Sequence, residues 1–213
     1  MKNFTKILFG MLALVIALAS CSKSDDFSKL VEEQRIKDSI ENARIQSLLK
    51  LQAPAVKAYA LANFTSPVLH DSTGIYYQIV TAGDESSYTY KISGNGLAAP
   101  EISVKFVGKL LDGRVFDQSA ADQTTNFSSL QIAINKFGGS WYYAFVPKTI
   151  NYNGSDIKFL GFTTTGLKKG AVIKFVTPSV WGFDATEYKT GSGNITVPAN
   201  TPIAYTIEVV SIK

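Results

Sequence analysis

The chain has 213 residues, with 21 Lys and Arg against 17 Asp and Glu, one Cys and one His. At 46% hydrophobic and 18% charged residues it can bury a core, which excludes wholesale disorder. A lone Cys excludes a disulfide scaffold and a Cys-based zinc site, and a lone His (His70) leaves little for a His-centred metal cluster or a Ser-His-Asp triad.

The first twenty residues read as an export leader. Lys2 and Lys6 form a positive start, and an apolar run follows from Ile7 to Ala19. The run is too short to span a ~30 Å hydrocarbon core as a helix, but it suits the apolar region of a signal peptide. It ends in Leu18-Ala19-Ser20-Cys21, which resembles a bacterial lipobox. The resemblance implies that Cys21 becomes the lipidated first residue of the mature chain, with Ser22 to Asp26 as a polar tether. The chain is then expected at the bacterial cell envelope, anchored by lipid in the outer membrane, on its periplasmic or its outer face. Without Lys2 and Lys6 the formal charge falls from +4 to +2. No Lys/Arg cluster marks a nucleic-acid face.

Residues 27–66 are expected to form a helical stalk. From Phe27 to Gln52 there is no Gly or Pro, and Leu30, Val31, Ile36, Ile40, Ala43, Ile45, Leu48, Leu49 and Leu51 recur at three- and four-residue steps among charged residues. Pro54 should end or kink this helix, and Ala55 to Ala62 could continue as a second short one. Its apolar stripe needs a partner, either the domain behind it or a second copy of the chain.

After Ser66-Pro67 the pattern turns to strands. Ile75 to Val80, Tyr88 to Ile92, Ile102 to Leu110, Arg114 to Asp117, Ala171 to Val176 and Ile203 to Ile212 are rich in aromatic and β-branched residues. In the third, Ile102, Val104 and Phe106 share a face by period-two alternation, which Gly108 and Leu110 extend. Asp112-Gly113 marks a tight turn. The one helical candidate within the domain is short, Phe162 to Lys168. His70 falls in a linker and reads as solvated surface. The expected class is α+β, a mainly antiparallel sheet around one short helix.

Two blocks carry a family resemblance. The first is Val104-Lys105-Phe106-Val107-Gly108-Lys109-Leu110-Leu111-Asp112-Gly113-Arg114-Val115-Phe116-Asp117. The second starts at Gly166-Leu167-Lys168-Lys169-Gly170, continues through Phe175-Val176-Thr177-Pro178-Ser179, and closes with Val197-Pro198 to Val209. In this order they resemble FKBP-type peptidyl-prolyl cis-trans isomerases, over roughly residues 74–213. The resemblance implies a twisted antiparallel half-barrel around one short helix, with an insertion near 128–158, in a domain covering 67–213. It also implies isomerisation of X-Pro bonds with no cofactor and no metal, acting on proline-containing peptides or proteins.

Residue by residue, the resemblance assigns Phe116 to the wall of the proline pocket and Asp117 to its acceptor. Trp181 matches the residue that contacts the substrate carbonyl. Phe106, Phe127, Leu160, Phe162, Val197 and Tyr205 fall on the remaining lining positions, with Phe162 or Thr163 as the floor. Phe106 stands where the family has a Tyr, so the hydroxyl that would hold Asp117 is missing. The 128–158 stretch is rich in aromatics and leaves three readings open: an extra hairpin, a lid or a partner surface. Two rivals to catalysis stand beside it: a degenerate pocket that only binds peptides, and a surface lipoprotein that works through the insertion. Self-association through the N-terminal helix is a further expectation.

Overall fold

The structure, a computed structural model, describes residues 2–94, 96–190 and 195–213, with side chains from residue 27 onward. The expected leader (1–20), the lipidation site Cys21 and the tether through Asp26 lie outside the described side chains. No helix of the described residues is long and apolar enough to cross a membrane.

The chain divides into two compact units, residues 1–47 and 48–213. Helix α1 (Lys2–Asn63) supplies the first and enters the second. In the first unit, Glu32–Arg35 and Glu41–Arg44 pair at 2.6 Å, one turn apart. Phe27, Leu30, Val31, Ile36 and Ile40 are exposed.

Among the described residues, the second unit adds thirteen strands and two α-helices. The first strands are β1 (Val68–His70), β2 (Ile75–Thr81), β3 (Ile92–Ser93), β4 (Gly96–Leu97), β5 (Ile102–Leu110), β6 (Val115–Gln118) and β7 (Thr125–Phe127). Helices α2 (Leu130–Phe137) and α3 (Gly139–Phe145) follow. After them come β8 (Thr149–Tyr152), β9 (Ser155–Lys158), β10 (Val172–Thr177), β11 (Tyr188–Lys189), β12 (Thr196–Val197) and β13 (Ile203–Ile212).

The main sheet runs β1-β2-β10-β13-β5-β6, with β7 also pairing β5, and every pairing is antiparallel. Alternation decides its two faces. Ile102, Val104, Phe106, Gly108 and Leu110 of β5 are buried. Ile203, Tyr205, Ile207 and Val209 of β13 join them in the core with Ile173 and Phe175 of β10. The rings of α2 and α3 pack on this inner face. The Asp112-Gly113 turn forms as expected, with Gly113 at φ 92° and its N–H donating to Leu110 O at 3.0 Å.

The outer face is partly covered by the tail of α1. Val56, Ala60 and the following Phe64 bury against Val176 and Ala204. Buried Gln52, one turn earlier, receives the Ser179 N–H on Oε1 at 2.8 Å and donates Nε2 to Ser179 Oγ and Asn200 O, both at 2.9 Å. Pro54 does not break the helix. It sits on the exposed side, where water can satisfy the carbonyl left without a donor.

Two expected elements need correction. Residues 162–168 are not helical. Three glycines (161, 166 and 170) and three threonines favour irregular backbone there, tied to α3 by Phe162 N–H to Tyr143 O at 2.8 Å and Leu167 N–H to Phe145 O at 2.9 Å. The domain's helices lie instead within 128–158. Ser129 caps α2 by accepting the Gln131 N–H at 3.2 Å, and Leu130, Ala133 and Phe137 bury one face. The 128–158 stretch does end in a hairpin, β8–β9, paired only with itself. Tyr88 to Lys91 is not a strand either, because Tyr90 turns inward and donates its hydroxyl to Leu167 O at 3.1 Å.

Candidate functional site

Strand β6 presents Phe116 inward, and β5 makes room for it. A Cβ on Gly108 would lie 2.6 Å from the Phe116 ring and 3.0 Å from that of Tyr205. Phe116 meets Tyr205 edge-on at 5.7 Å. Tyr205 also meets Phe137 from α2 and Trp141 from α3, and these two rings in turn meet Phe106 from β5 and Phe127 from β7. Their edge-to-face and offset geometry is the favoured arrangement for aromatic rings.

At the centre, Phe137 lies on the Trp141 indole, ring centres 4.6 Å apart and planes 23° from parallel. Both are fully buried. Neither the Trp141 indole N–H nor the Tyr205 hydroxyl has an aligned hydrogen-bond partner. Burial pushes the Tyr205 hydroxyl far above the ordinary phenol range, and the Trp141 N–H nearby offsets only part of that push.

Asp117 closes the rim, its side chain 15% exposed. Its Oδ1 accepts the Gln118 N–H at 2.8 Å. Its Oδ2 accepts the Tyr188 hydroxyl at 2.6 Å, with the Lys136 ammonium 3.6 Å away. Tyr188, on β11, stacks on Phe183 at 4.1 Å and meets Phe116 edge-on at 5.9 Å. Its hydroxyl is raised above the ordinary phenol value by burial first, and then by the Asp117 carboxylate that it serves. The hydroxyl that reaches Asp117 thus comes from β11 and not from its neighbour strand β5.

Of the residues singled out in the sequence, Phe106, Phe116, Asp117, Phe127 and Tyr205 converge, and Val197 sits beside them as the cross-strand partner of Tyr188. Leu160, Phe162 and Trp181 do not join them. Leu160 is 46% exposed. Phe162 stacks on Tyr77 at 4.6 Å, within a second aromatic group holding Tyr143 and His70. Trp181 meets Tyr143 edge-on and donates its indole N–H to Thr73 O at 2.9 Å, so that N–H is engaged. His70 is half-buried between Tyr143 and Phe162 rather than solvated. Phe175 joins the two groups, 5.4 Å from Tyr205 and 6.1 Å from Phe162.

The sequence reading missed Trp141, Phe137 and Tyr188. The Ser129 cap followed by the 130, 133, 137 spacing was a usable helix signal for the first two. Among the described residues no group of His, Cys, Asp and Glu could hold a metal ion. Cavities of about 510, 310 and 100 Å3 open among the described residues, and none of them is lined by Phe137, Trp141 or Asp117.

A twisted antiparallel sheet with two short helices on its inner face, and a ring cage with one carboxylate at its rim, define an α+β domain with a candidate site for an apolar ring. No protein-family model matches the chain, and no curated protein does. Among solved structures the chain is similar to FkpA from Escherichia coli, at 19% identity and TM-score 0.49, over 88% of this chain and 71% of that one. It is similar to a peptidyl-prolyl cis-trans isomerase from Pseudomonas syringae pv. tomato str. DC3000, at 20% identity and TM-score 0.47, over 79% and 96%. It is also similar to AtFKBP13, at 17% identity and TM-score 0.46, over 70% and 99%.

Proposed function

We propose that the chain is a peptidyl-prolyl cis-trans isomerase of the FKBP type, acting on X-Pro bonds of exported proteins at the cell envelope. The observation that carries this reading is the chain of ring contacts that joins Phe106 and Phe127 through Trp141 and Tyr205 to Phe116, with Asp117 next to Phe116 as the carboxylate at the rim. Rotation about an X-Pro bond meets a barrier of ~20 kcal/mol, which comes from amide resonance. A twisted imide has lost that resonance and carries less charge separation. A water-poor, ring-lined site therefore favours it over the planar form. This needs no nucleophile, metal or cofactor. Lipid attachment at Cys21 is part of the proposal. An intact-mass measurement of the mature protein tests it, and an unmodified Cys21 would reject it.

A second reading, peptide holding without turnover, is favoured by one observation: Trp181, expected to contact the substrate carbonyl, donates its indole N–H to Thr73 O instead. A protease-coupled assay with an Ala-Pro-Phe peptide and the purified chain separates the two. Acceleration of cis-to-trans conversion supports the isomerase. Binding without acceleration leaves peptide holding, and neither one rejects both.

A further inference from the structure

The ring cage already contains a guest, and the guest belongs to the chain itself. Phe137 lies on the Trp141 indole at 4.6 Å, with Phe106 at 4.9 Å, Tyr205 at 5.9 Å, Phe127 at 6.1 Å and Tyr188 at 6.4 Å around it. All five of these neighbours come from elements other than its own. It is fully buried. At the rim the same holds for polarity. The Tyr188 hydroxyl takes Asp117 Oδ2, and the Gln118 N–H takes Oδ1.

The cage wall is also left unfinished. The Trp141 indole N–H lies near the Tyr205 oxygen without forming an aligned hydrogen bond, and neither group has another partner, although buried donors are normally satisfied. An apolar phenyl ring fills volume and can accept no hydrogen bond of ordinary strength. A prolyl ring flanked by peptide carbonyls would fill the same volume and also offer those donors an acceptor.

We infer that Phe137 and Tyr188 are built-in stand-ins for the ligand: Phe137 for its ring, and Tyr188 for its hydrogen bond to Asp117. This inference rests on the isomerase reading and specifies how that site is regulated. A prolyl peptide enters only the fraction of molecules in which Phe137 has left Trp141 and Tyr188 has released Asp117. Apparent affinity is reduced by that fraction. The two helices that carry Phe137 and Trp141 meet at a single glycine. Gly138, between α2 and α3, stands at φ 94° and ψ 172°, where only glycine is at ease.

The test compares the purified wild-type chain with Phe137→Val and Tyr188→Phe, using an Ala-Leu-Pro-Phe peptide as probe. Calorimetry reads binding, the protease-coupled assay reads turnover, and circular dichroism confirms folding. Both variants are expected to bind about tenfold or more tightly than wild type, because each removes one internal competitor. Tyr188→Phe keeps the ring and loses only the hydroxyl, so it decides the matter if Phe137→Val does not fold. Equal or weaker binding by the folded variants overturns the inference. If wild type nonetheless accelerates isomerisation, the isomerase reading survives that loss. If no protein binds or accelerates, both fall. Tighter binding without acceleration keeps the stand-ins and removes the isomerase.

Discussion

Replacing Gly138 by Ala tests how tightly the junction of α2 and α3 is set against the turn after β10. A Cβ at this position would lie 2.2 Å from Gly182 O and 2.7 Å from Trp181 O. Both are backbone atoms, so no side chain can swing aside. The backbone at φ 94° and ψ 172° adds strain of about 1–3 kcal/mol for any residue with a Cβ. Overpacking adds about 1–3 kcal/mol more. The expected loss is about 3–5 kcal/mol, a large share of a typical domain's ~5–15 kcal/mol. For a unit of this size that corresponds to a fall in Tm of roughly 10–15 °C.

Gly139→Ala is the internal control. Its Cβ would come no closer than 3.6 Å, to the Trp181 ring, and the residue opens α3. Alanine there is expected to be neutral or to stabilise by up to about 1 kcal/mol. Thermal and urea unfolding of the two variants beside wild type read the difference. A Gly138→Ala protein within about 1 kcal/mol of wild type would refute the reasoning.

Gln52→Ala should cost about 2–4 kcal/mol in urea unfolding, since it leaves the buried Ser179 backbone and hydroxyl without their partner on α1. A loss under about 1 kcal/mol would mean that water takes Gln52's place. His70 has its pKa lowered below the ordinary 6.5 by burial and then by the Lys148 cation, against a smaller opposing pull from Asp71. The unfolded chain therefore takes up this proton first as pH falls. His70's contribution is fully present above about pH 6.5 and is lost as pH drops through the window below it. His70→Gln should flatten the change of Tm in that window, and an unchanged slope would contradict the burial argument. Replacing residues 151–156 by a short glycine turn should move stability by no more than about 1 kcal/mol, because the β8–β9 hairpin is exposed and pairs only with itself. A large loss on calorimetry would show that the hairpin braces the core.

What the sequence made legible follows from the range of each signal. β5 and β13 were readable because a strand with one buried face writes its burial into every second residue. Phe116-Asp117 was readable because a tight turn and a lone acid on an apolar strand end are both local. α2 and α3 were not. The run from Phe137 to Phe145 is dense in rings, which carry β propensity, and each helix is barely two turns. With the helix misplaced to 162–168, Trp141 lost its role to Phe162. The hydroxyl that reaches Asp117 comes from Tyr188, 71 residues along the chain. No periodicity in either segment records such a meeting. The tail of α1 is a milder case. Pro54 argued for a break, and tertiary packing of Val56 and Ala60 overrode it.

That tail bears on where the protein can be cut. Composition changes at Ser66-Pro67, the natural place to start a minimal fragment. Such a fragment would lose Val56, Ala60 and Phe64, and Val176 and Ala204 would become a greasy patch on the back of a sheet. It would also lose the amide clamp on Ser179. A clone beginning at Leu48 keeps both. The last four turns of the helix behave as the sheet's keel, and a recombinant product without them should clump rather than stay dispersed.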